Sequence, residues 1–208
     1  MKKLLILLFS ILFLSSPTVF ADDISDFQIE GISIGDSLLD YMTEEEILED
    51  IKANKDWYYF LNEPIKYIQT GSLINSSTYD GINFFIKNNT QNKYISNKKE
   101  RYTIKGVNGF LTFNENFDGC IQKSNEIVEI VTEMFPNEEI QEYRRNYDPD
   151  PSGNSIENLV MMWFDSGAAI SVKCIDIEET VRKKNNWNDG LYLSISSAEI
   201  ANWLSDYK

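Results

Sequence analysis

The sequence predicts an α+β fold, a mostly antiparallel sheet with helices packed on it. Two patterns carry this prediction: a β-rich hairpin between residues 159 and 175, and a helix-like run between residues 116 and 135. The only two cysteines of the chain fall one in each pattern. A disulfide between Cys120 and Cys174 would therefore tie the helix to the hairpin, and the other elements are placed around that link.

The hairpin is predicted from two β-rich runs, residues 159–164 and 169–175, that flank the tetrapeptide Asp-Ser-Gly-Ala. The Ser-Gly pair within it can supply a tight turn. Side chains alternate along a strand, so Val172 and Cys174 share one face and Lys173 points to the other. Cys174 is therefore expected to face the core.

The helix is predicted because Cys120, Ser124, Ile127, Val131 and Met134 recur at steps of three and four residues. This spacing places Cys120 on the inner face as well. Cysteines of exported proteins are more often paired than free, which favours the disulfide. Two buried thiols, or one reactive thiol, are the alternatives.

Ahead of this helix the sequence indicates mostly extended structure. Residues 27–36 alternate apolar and polar side chains, which predicts a short strand or an extended arm. Thr43-Glu44-Glu45-Glu46 is a capping box that opens a helix through Ile51. Runs rich in aromatic and β-branched residues predict strands at 79–87, 102–107 and 109–113. The last two are expected to be interrupted near Asn108-Gly109, by a bulge or a tight turn.

The second half is less regular outside the hairpin. Residues 137–158 are rich in Pro, Asn, Asp and Glu and predict a long surface connection. Residues 178–188 predict a charged helical turn or loop, residues 190–195 a strand, and residues 200–207 a last helix. Residues 22–208 are thus expected to form a single α+β domain. Two packed halves that meet near residues 114–118 are the alternative.

The N-terminus has the pattern of a secretory signal peptide. Two lysines precede an apolar run from Leu4 to Leu14, and small residues follow at Val19 and Ala21. The apolar run is shorter than the roughly 20 residues of a spanning helix. The sequence therefore predicts cleavage after Ala21 and export to the periplasm or the extracellular medium. An uncleaved N-terminal anchor is the alternative.

The chain is strongly acidic. Its formal net charge is −14, and loss of residues 1–21 would remove two lysines and no acid, leaving a charge near −16. Such a surface repels phosphate backbones and anionic headgroups. No nucleic acid partner and no stable membrane insertion after signal cleavage are expected. A protein or a small-molecule ligand is the expected partner.

Several chemistries are excluded by composition. The chain has no histidine, which rules out Ser-His-Asp catalysis, Cys-His catalysis and His-ligated zinc. Two cysteines are too few for a cysteine-only zinc or iron–sulfur site. Neither of the glycine-rich phosphate-binding patterns GxGxxG and GxxxxGK[ST] occurs. No catalytic residue is assigned, and calcium is the one cofactor that the sequence leaves open.

The calcium hypothesis rests on an oxygen-rich loop. Asp148, Asp150, Ser152 and Asn154 place oxygen-bearing side chains at alternate positions around a glycine turn, as a hard cation requires. The full EF-hand pattern is not met, because Leu159 stands where the bidentate glutamate belongs. A plain turn rich in Asp, Pro, Ser and Gly is the alternative.

Paired carboxylates remain available for glycan hydrolysis, because that mechanism needs no histidine. Aromatic residues of the kind that stack on sugars are also present: Trp57, Tyr58, Tyr59, Trp163, Trp187 and Tyr192. Aromatic residues on strands belong to the core more often than to a binding platform. The aromatic residues alone therefore do not define a sugar site.

Five segments in succession resemble known proteins: Ile29 to Tyr41 leading into Glu44-Glu45-Glu46-Ile47, the cysteine helix ending in Phe135-Pro136, Ser152-Gly153-Asn154-Ser155, the Cys174 strand, and Trp187 to Trp203. This order resembles small secreted proteins of marine alphaproteobacteria. The resemblance implies an exported protein with a helix-to-hairpin disulfide and no activity. The glycine–helix opening and the later strands also resemble the envelope module of the outer-membrane assembly lipoprotein family (BamE/SmpA-like). The lipid-bearing cysteine of that family is missing here, so only the idea of an α+β envelope module carries over.

Taken together, these observations predict an exported, non-enzymatic binding or envelope-associated module. Its ligand is expected on a face of the sheet or at residues 137–158. The alternatives are a histidine-free glycan hydrolase that uses paired carboxylates and a calcium-dependent sugar binder.

Overall fold

A computed structural model of the 208-residue chain describes residues 23–54, 67–70, 76–87 and 102–206. The described strands are β1 (Tyr67–Gln69), β2 (Gly81–Lys87), β3 (Ile104–Thr112), β4 (Glu139–Asn146), β5 (Ile156–Trp163), β6 (Ala169–Asp176) and β7 (Gly190–Ser196). The described α-helices are α1 (Glu44–Asn54), α2 (Phe117–Met134), α3 (Glu179–Asn185) and α4 (Ala198–Asp206), and two short 3₁₀ helices span Ile24–Asp26 and Leu38–Asp40.

All the described strands form one seven-stranded antiparallel sheet in the order β1-β2-β3-β7-β6-β5-β4. The α+β class and the antiparallel sheet are therefore confirmed. β7, the last strand in the sequence, lies between β3 and β6. Strands from both sides of residues 114–118 thus belong to the same sheet. The predicted hairpin is β5 and β6, closed by a turn in which Gly167 has a φ of +83°.

One face of the sheet, here called the covered face, carries α2 and the hydrophobic core. α2 lies across β6 and β7. Its inner residues Ile127 and Val131 belong to the same buried cluster as Val172 of β6 and Leu193 of β7. N-terminal residues such as Ile29 join this cluster as well. Removal of this apolar surface from water is the main favourable contribution to folding.

The predicted disulfide is confirmed. Cys120 in the first turns of α2 and Cys174 near the end of β6 are joined with a Cα–Cα distance of 5.9 Å. Both residues are fully buried on the covered face. The disulfide therefore holds the start of α2 on the centre of the sheet.

The predicted capping box of α1 is also present. The Glu46 carboxylate accepts a hydrogen bond from the Thr43 backbone N–H at 2.8 Å, and the Glu46 N–H donates to Thr43 Oγ1 at 3.3 Å. These two bonds satisfy backbone donors that the first helical turn leaves without partners. The Thr43 N–H bond, together with a bond that Thr43 Oγ1 donates to the same carboxylate at 2.7 Å, holds the pKa of Glu46 below its usual range.

The prediction that residues 137–158 form one long surface connection is wrong. Residues 139–146 form β4, and residues 147–155 alone link it to β5. The apolar signal is weak because β4 is an edge strand whose side chains are mostly exposed. Ile140 is its one aliphatic residue, and it packs against the core of the covered face.

The expected interruption of residues 102–113 is also wrong. β3 is continuous through Asn108 and Gly109, and the bulge on its β2 side leaves Lys105 unpaired instead. Gly109 has a packing reason, because a Cβ at this position would lie 2.7 Å from carbons of the Tyr79 ring.

Residues 27–36 form no regular strand. Ile29 and Ile32 make an isolated bridge around Glu30 and Gly31, whose φ angles are 54° and 78°. Both isoleucines are buried, so the apolar alternation reports burial in a tight turn rather than a strand. The predicted signal peptide lies outside the described residues. Within the described residues, no helix is long and apolar enough to cross a membrane.

Candidate functional site

The second face of the sheet, here called the open face, carries the side chains that alternate with those of the core. Residues that pair in register on neighbouring strands share a face. One row across the open face consists of Asn83, Asn108, Ser194, Ser171, Met161 and Gln141. The next row consists of Phe110, Tyr192, Lys173, Leu159 and Tyr143. In the first row amides and hydroxyls thus lie over β2, β3, β7 and β6, and in the second row aromatic and apolar side chains flank Lys173.

α4 packs on one end of the open face. It closes a small cluster that consists of Tyr67, Phe85, Ile200, Trp203 and Leu204. The carboxylate of Glu199, in the first turn of α4, forms ion pairs with Lys87 Nζ and Lys105 Nζ, each at 3.4 Å. These contacts fix the helix against β2 and β3.

Beside α4 the open face forms a groove of about 410 Å³. This volume falls within the roughly 300–1,000 Å³ that small-molecule sites usually have. The lining combines amide, hydroxyl, apolar and charged side chains: Gln69, Asn83, Phe85, Asn108, Arg145, Glu157, Leu159, Met161, Ser171, Lys173, Tyr192, Ser194 and Leu204. The groove is thus apolar at Leu159 and Met161 of β5, and its side chains over β2 and β3 are the amides Asn83 and Asn108 together with Phe85.

The polar end of the groove is an ordered set of three amides. Gln69 Nε2 donates to Asn83 Oδ1 at 3.0 Å, and Asn108 Nδ2 donates to the same oxygen at 2.7 Å. These bonds link β1, β2 and β3 across the open face. Because the three amides are oriented by one another, they form a fixed polar wall.

Lys173 is one of the residues that line the groove. Its ammonium Nζ is 5.4 Å from the centroid of the Tyr192 ring, a cation–π contact across β6 and β7. Burial lowers the pKa of Lys173 below its ordinary value. Among the described residues, Lys173 makes no ion pair with a carboxylate.

The nearest acid of the groove is already paired. Glu157, whose side chain is buried, accepts a hydrogen bond from Arg145 Nε on the neighbouring strand β4. This bond raises the pKa of Arg145. The Arg145–Glu157 pair is therefore neutral overall, and the ammonium of Lys173 is the uncompensated charge of the groove.

The predicted calcium loop is organised by its own hydrogen bonds. Asp150 Oδ1 accepts from the Ser152 N–H at 2.8 Å, and Oδ2 accepts from Ser152 Oγ at 2.7 Å and from Ser155 Oγ at 2.6 Å. These bonds hold the pKa of Asp150 well below its usual range. Asp148 and Asn154 stay exposed. No set of three or more Asp, Glu, Cys or His side chains among the described residues is placed to hold a metal ion, and calcium binding stays a prediction.

A second, acidic pocket of about 360 Å³ lies near the start of α3. It contains Asp176 and Asp189, and burial together with the Asp189 charge raises the pKa of Asp176. Asp189 itself is tied into the structure, since it accepts from the Ile177 N–H at 2.8 Å and lies 3.5 Å from Arg182 Nε. Asp176 and Asp189, two of the five acidic residues that line the pocket, are thus in unequal environments.

The aromatic residues considered for sugar stacking do not form one platform. Tyr192 lines the groove. Trp163 lies on the open face at the end of β5, and Trp187 packs edge-to-face with Tyr147 at 6.3 Å. Trp57, Tyr58 and Tyr59 lie outside the described residues.

Alternation along the strand predicts that Lys173 and Cys174 lie on opposite faces of the sheet, but Lys173 was not predicted to be a site residue. The available signal was a lysine between the apolar residue Val172 and Cys174 in a β-rich run. Comparison of the chain with protein-family models, with curated proteins and with solved structures finds no match.

Proposed function

We propose that this chain is an exported, non-enzymatic binding protein that holds a small amphipathic anion in the open-face groove. The single observation that carries the proposal is Lys173, a cation in the lining of a partly apolar groove with no carboxylate partner among the described residues. In a chain with a net charge of −14, an uncompensated lysine is unusual. Acids outnumber bases and are available to pair with it.

The energetics favour an anionic ligand. Burial disfavours the charged form of a lysine unless a counter-charge compensates it. A ligand carboxylate beside Lys173 Nζ would supply that charge, and a charge-assisted hydrogen bond contributes about 1.5–3 kcal/mol. The apolar part of the ligand would lie against Leu159, Met161 and Leu204. Octanoate combines these two parts and is a suitable probe.

The test is calorimetric titration with octanoate, octanamide and octylammonium, which share a chain length and differ in head-group charge. Octanoate is expected to bind best, in the range of about 0.1–1 mM, because the ligand is small and the groove is open. Lys173→Met keeps the apolar stem and removes the charge. It should weaken octanoate binding by about tenfold or more and leave octanamide binding unchanged. Equal binding of octanoate and octanamide would contradict the proposal.

The matched control is Lys184→Met. Lys184 is an exposed lysine of α3, outside the groove. Its replacement removes the same charge from the chain, so it measures any effect of net charge alone. Octanoate binding should be the same as for the unchanged protein.

Export is part of the proposal. The buried Cys120–Cys174 disulfide supports it, because disulfides persist in oxidising compartments and are rare in the cytosol. The protein recovered from the periplasm or the medium is expected to begin at Asp22. N-terminal sequencing checks this, and a chain that still begins at Met1 would contradict cleavage.

One observation favours the hydrolase as a second candidate function. Asp176 has a raised pKa beside Asp189 in the acidic pocket, and paired-carboxylate hydrolysis needs one acid that stays protonated. Hydrolysis of a bacterial glycan that is lost in Asp176→Asn and kept in Lys173→Met would support it. Calcium-dependent sugar binding has less support as a candidate function, because Asp150 would have to exchange its hydrogen bonds with Ser152 and Ser155 for contacts with an ion.

A further inference from the structure

β4 is a long edge strand. It has eight residues and ends the sheet, and none of the described strands pairs with its outer side. Edge strands of this length present unpaired backbone groups that readily pair with another strand. The described strand at the opposite end of the sheet, β1, has three residues. A partner for β4 is therefore worth seeking in its sequence.

The register with β5 shows which backbone groups of β4 point outward. The Tyr147 N–H donates to the Ser155 carbonyl at 2.9 Å, just beyond the end of β4. Hydrogen-bonded and non-hydrogen-bonded pairs alternate along an antiparallel ladder. Odd-numbered residues of β4 therefore bond to β5. The residues that direct N–H and C=O groups to the outer edge are Ile140, Glu142, Arg144 and Asn146.

The charges of β4 are divided between its two halves. Glu139 and Glu142 lie in the first half, and Arg144 lies in the second beside Arg145, whose charge Glu157 already compensates. An antiparallel second copy of β4 would place the acidic half of one strand beside the basic half of the other. The chemistry of this edge is therefore complementary to itself.

One register satisfies both the backbone and the charges. The outward backbone groups require even-numbered residues to pair with even-numbered residues. A two-fold axis at Glu142 would oppose two glutamates, and an axis at Arg144 would oppose two arginines. An axis at Tyr143 places Glu142 opposite Arg144 twice. Opposite charges directly across two strands stabilise the pair, and like charges destabilise it.

Tyr143 fits the position on the axis. Its side chain is 44% exposed, which makes it one of the large hydrophobic residues left on the described surface. In this register Tyr143 faces its own copy in a non-hydrogen-bonded pair, where side chains approach most closely. The open faces of the two sheets then lie on the same side, because paired residues share a face.

We propose that two copies of this chain associate through antiparallel pairing of β4, with the two-fold axis at Tyr143 and Glu142 opposite Arg144. The pairing joins two seven-stranded sheets into one continuous sheet. It is independent of what the groove binds. The second copy is thus the partner to which this edge is complementary.

The test is sedimentation velocity over a range of concentrations with the exported protein and three variants. Glu142→Arg would place an arginine directly across from Arg144 of the other copy, twice in each dimer. Arg144→Glu would likewise place a glutamate directly across from Glu142, twice in each dimer. Each should raise the dimer dissociation constant by tenfold or more. The double variant Glu142→Arg with Arg144→Glu restores opposite charges with reversed signs, so it should dimerise like the unchanged protein.

Both substituted side chains are exposed on β4, and far-ultraviolet circular dichroism checks that each variant stays folded. An unchanged protein that is monomeric up to millimolar concentration would overturn the proposal. Dimers that persist unaltered in both single variants would place the interface elsewhere and overturn it as well. Failure of the double variant to recover dimerisation would overturn the proposed register.

Discussion

Reduction of the Cys120–Cys174 disulfide is expected to destabilise the protein strongly. The two cysteines are 54 residues apart in sequence, and both are fully buried between α2 and β6. Chain entropy for a loop of this length gives about 14 cal/mol/K, or roughly 4 kcal/mol at 25 °C. For a domain of this size, each kcal/mol shifts the unfolding midpoint Tm by about 2–4 °C. The midpoint should therefore fall by about 8–16 °C on reduction.

The assay is thermal unfolding, followed by circular dichroism with and without reductant. Reduction keeps both sulfur atoms in place, so the comparison isolates the cross-link from the packing of the side chains. The double variant Cys120→Ala with Cys174→Ala serves as the control, since its midpoint should not respond to reductant. A fall of less than about 3 °C for the reduced protein would refute the reasoning, because it would mean that the cross-link contributes under about 0.75–1.5 kcal/mol.

Three further predictions concern single residues. Asp150→Asn should lower Tm more than Asp148→Asn, because the pKa of Asp150 is lowered in the folded protein. The stability that this lowered pKa provides is present above the unfolded pKa of the carboxyl and is lost as pH falls through the folded pKa. The difference in Tm between the two variants should therefore vanish in acid. Gly109→Ala should destabilise by about 1–3 kcal/mol in urea unfolding, because its Cβ would lie 2.7 Å from the Tyr79 ring; an unchanged urea midpoint would refute this packing argument. Lys173→Met should raise Tm, because it removes an ammonium group whose charged form partial burial disfavours. Since burial lowers the pKa of Lys173, the free energy of unfolding of the unchanged protein should rise with pH from the folded pKa to about 10.4, and this rise should be absent in Lys173→Met.

The helix and the hairpin were predictable because their sequence periods match their burial. The three- and four-residue steps of α2 and the alternation of β6 both point their cysteines inward, and the disulfide follows from that agreement. Local periodicity and tertiary packing agree most closely where an element has one fully buried face. These elements meet that condition.

β4 was not predictable by the same means. Its residues are mostly exposed on both faces, so only Ile140 marks the side that meets the core. An edge strand is stabilised by its backbone bonds to β5, and these leave no apolar period in the sequence. The charged residues of β4 leave the strand without an apolar alternation in the sequence, and the same residues make its edge complementary to a second copy.

The groove depends on pairings between distant parts of the chain. Alternation predicts that Lys173 lies on the face of the sheet opposite to that of Cys174. The cross-strand neighbours of Lys173, Leu159 and Tyr192, become known only once the register of three strands is fixed. The oxygen-rich loop shows a different limit. Carboxylate and hydroxyl groups at alternate positions suit a cation, and they suit one another equally well, as the bonds of Asp150 demonstrate.

The most direct measurement of the central claim is the pKa of the Lys173 ammonium by NMR of ¹³Cε-labelled lysine, with Lys173→Met to assign the signal. In the free protein this pKa should lie below the ordinary value of a lysine, because desolvation of the partly buried ammonium outweighs the attraction of the Glu157 charge. Saturating octanoate should raise it, and octanamide should leave it unchanged, because an anion stabilises the charged form. A Lys173 pKa that is the same with and without octanoate would contradict the proposed anion-binding groove.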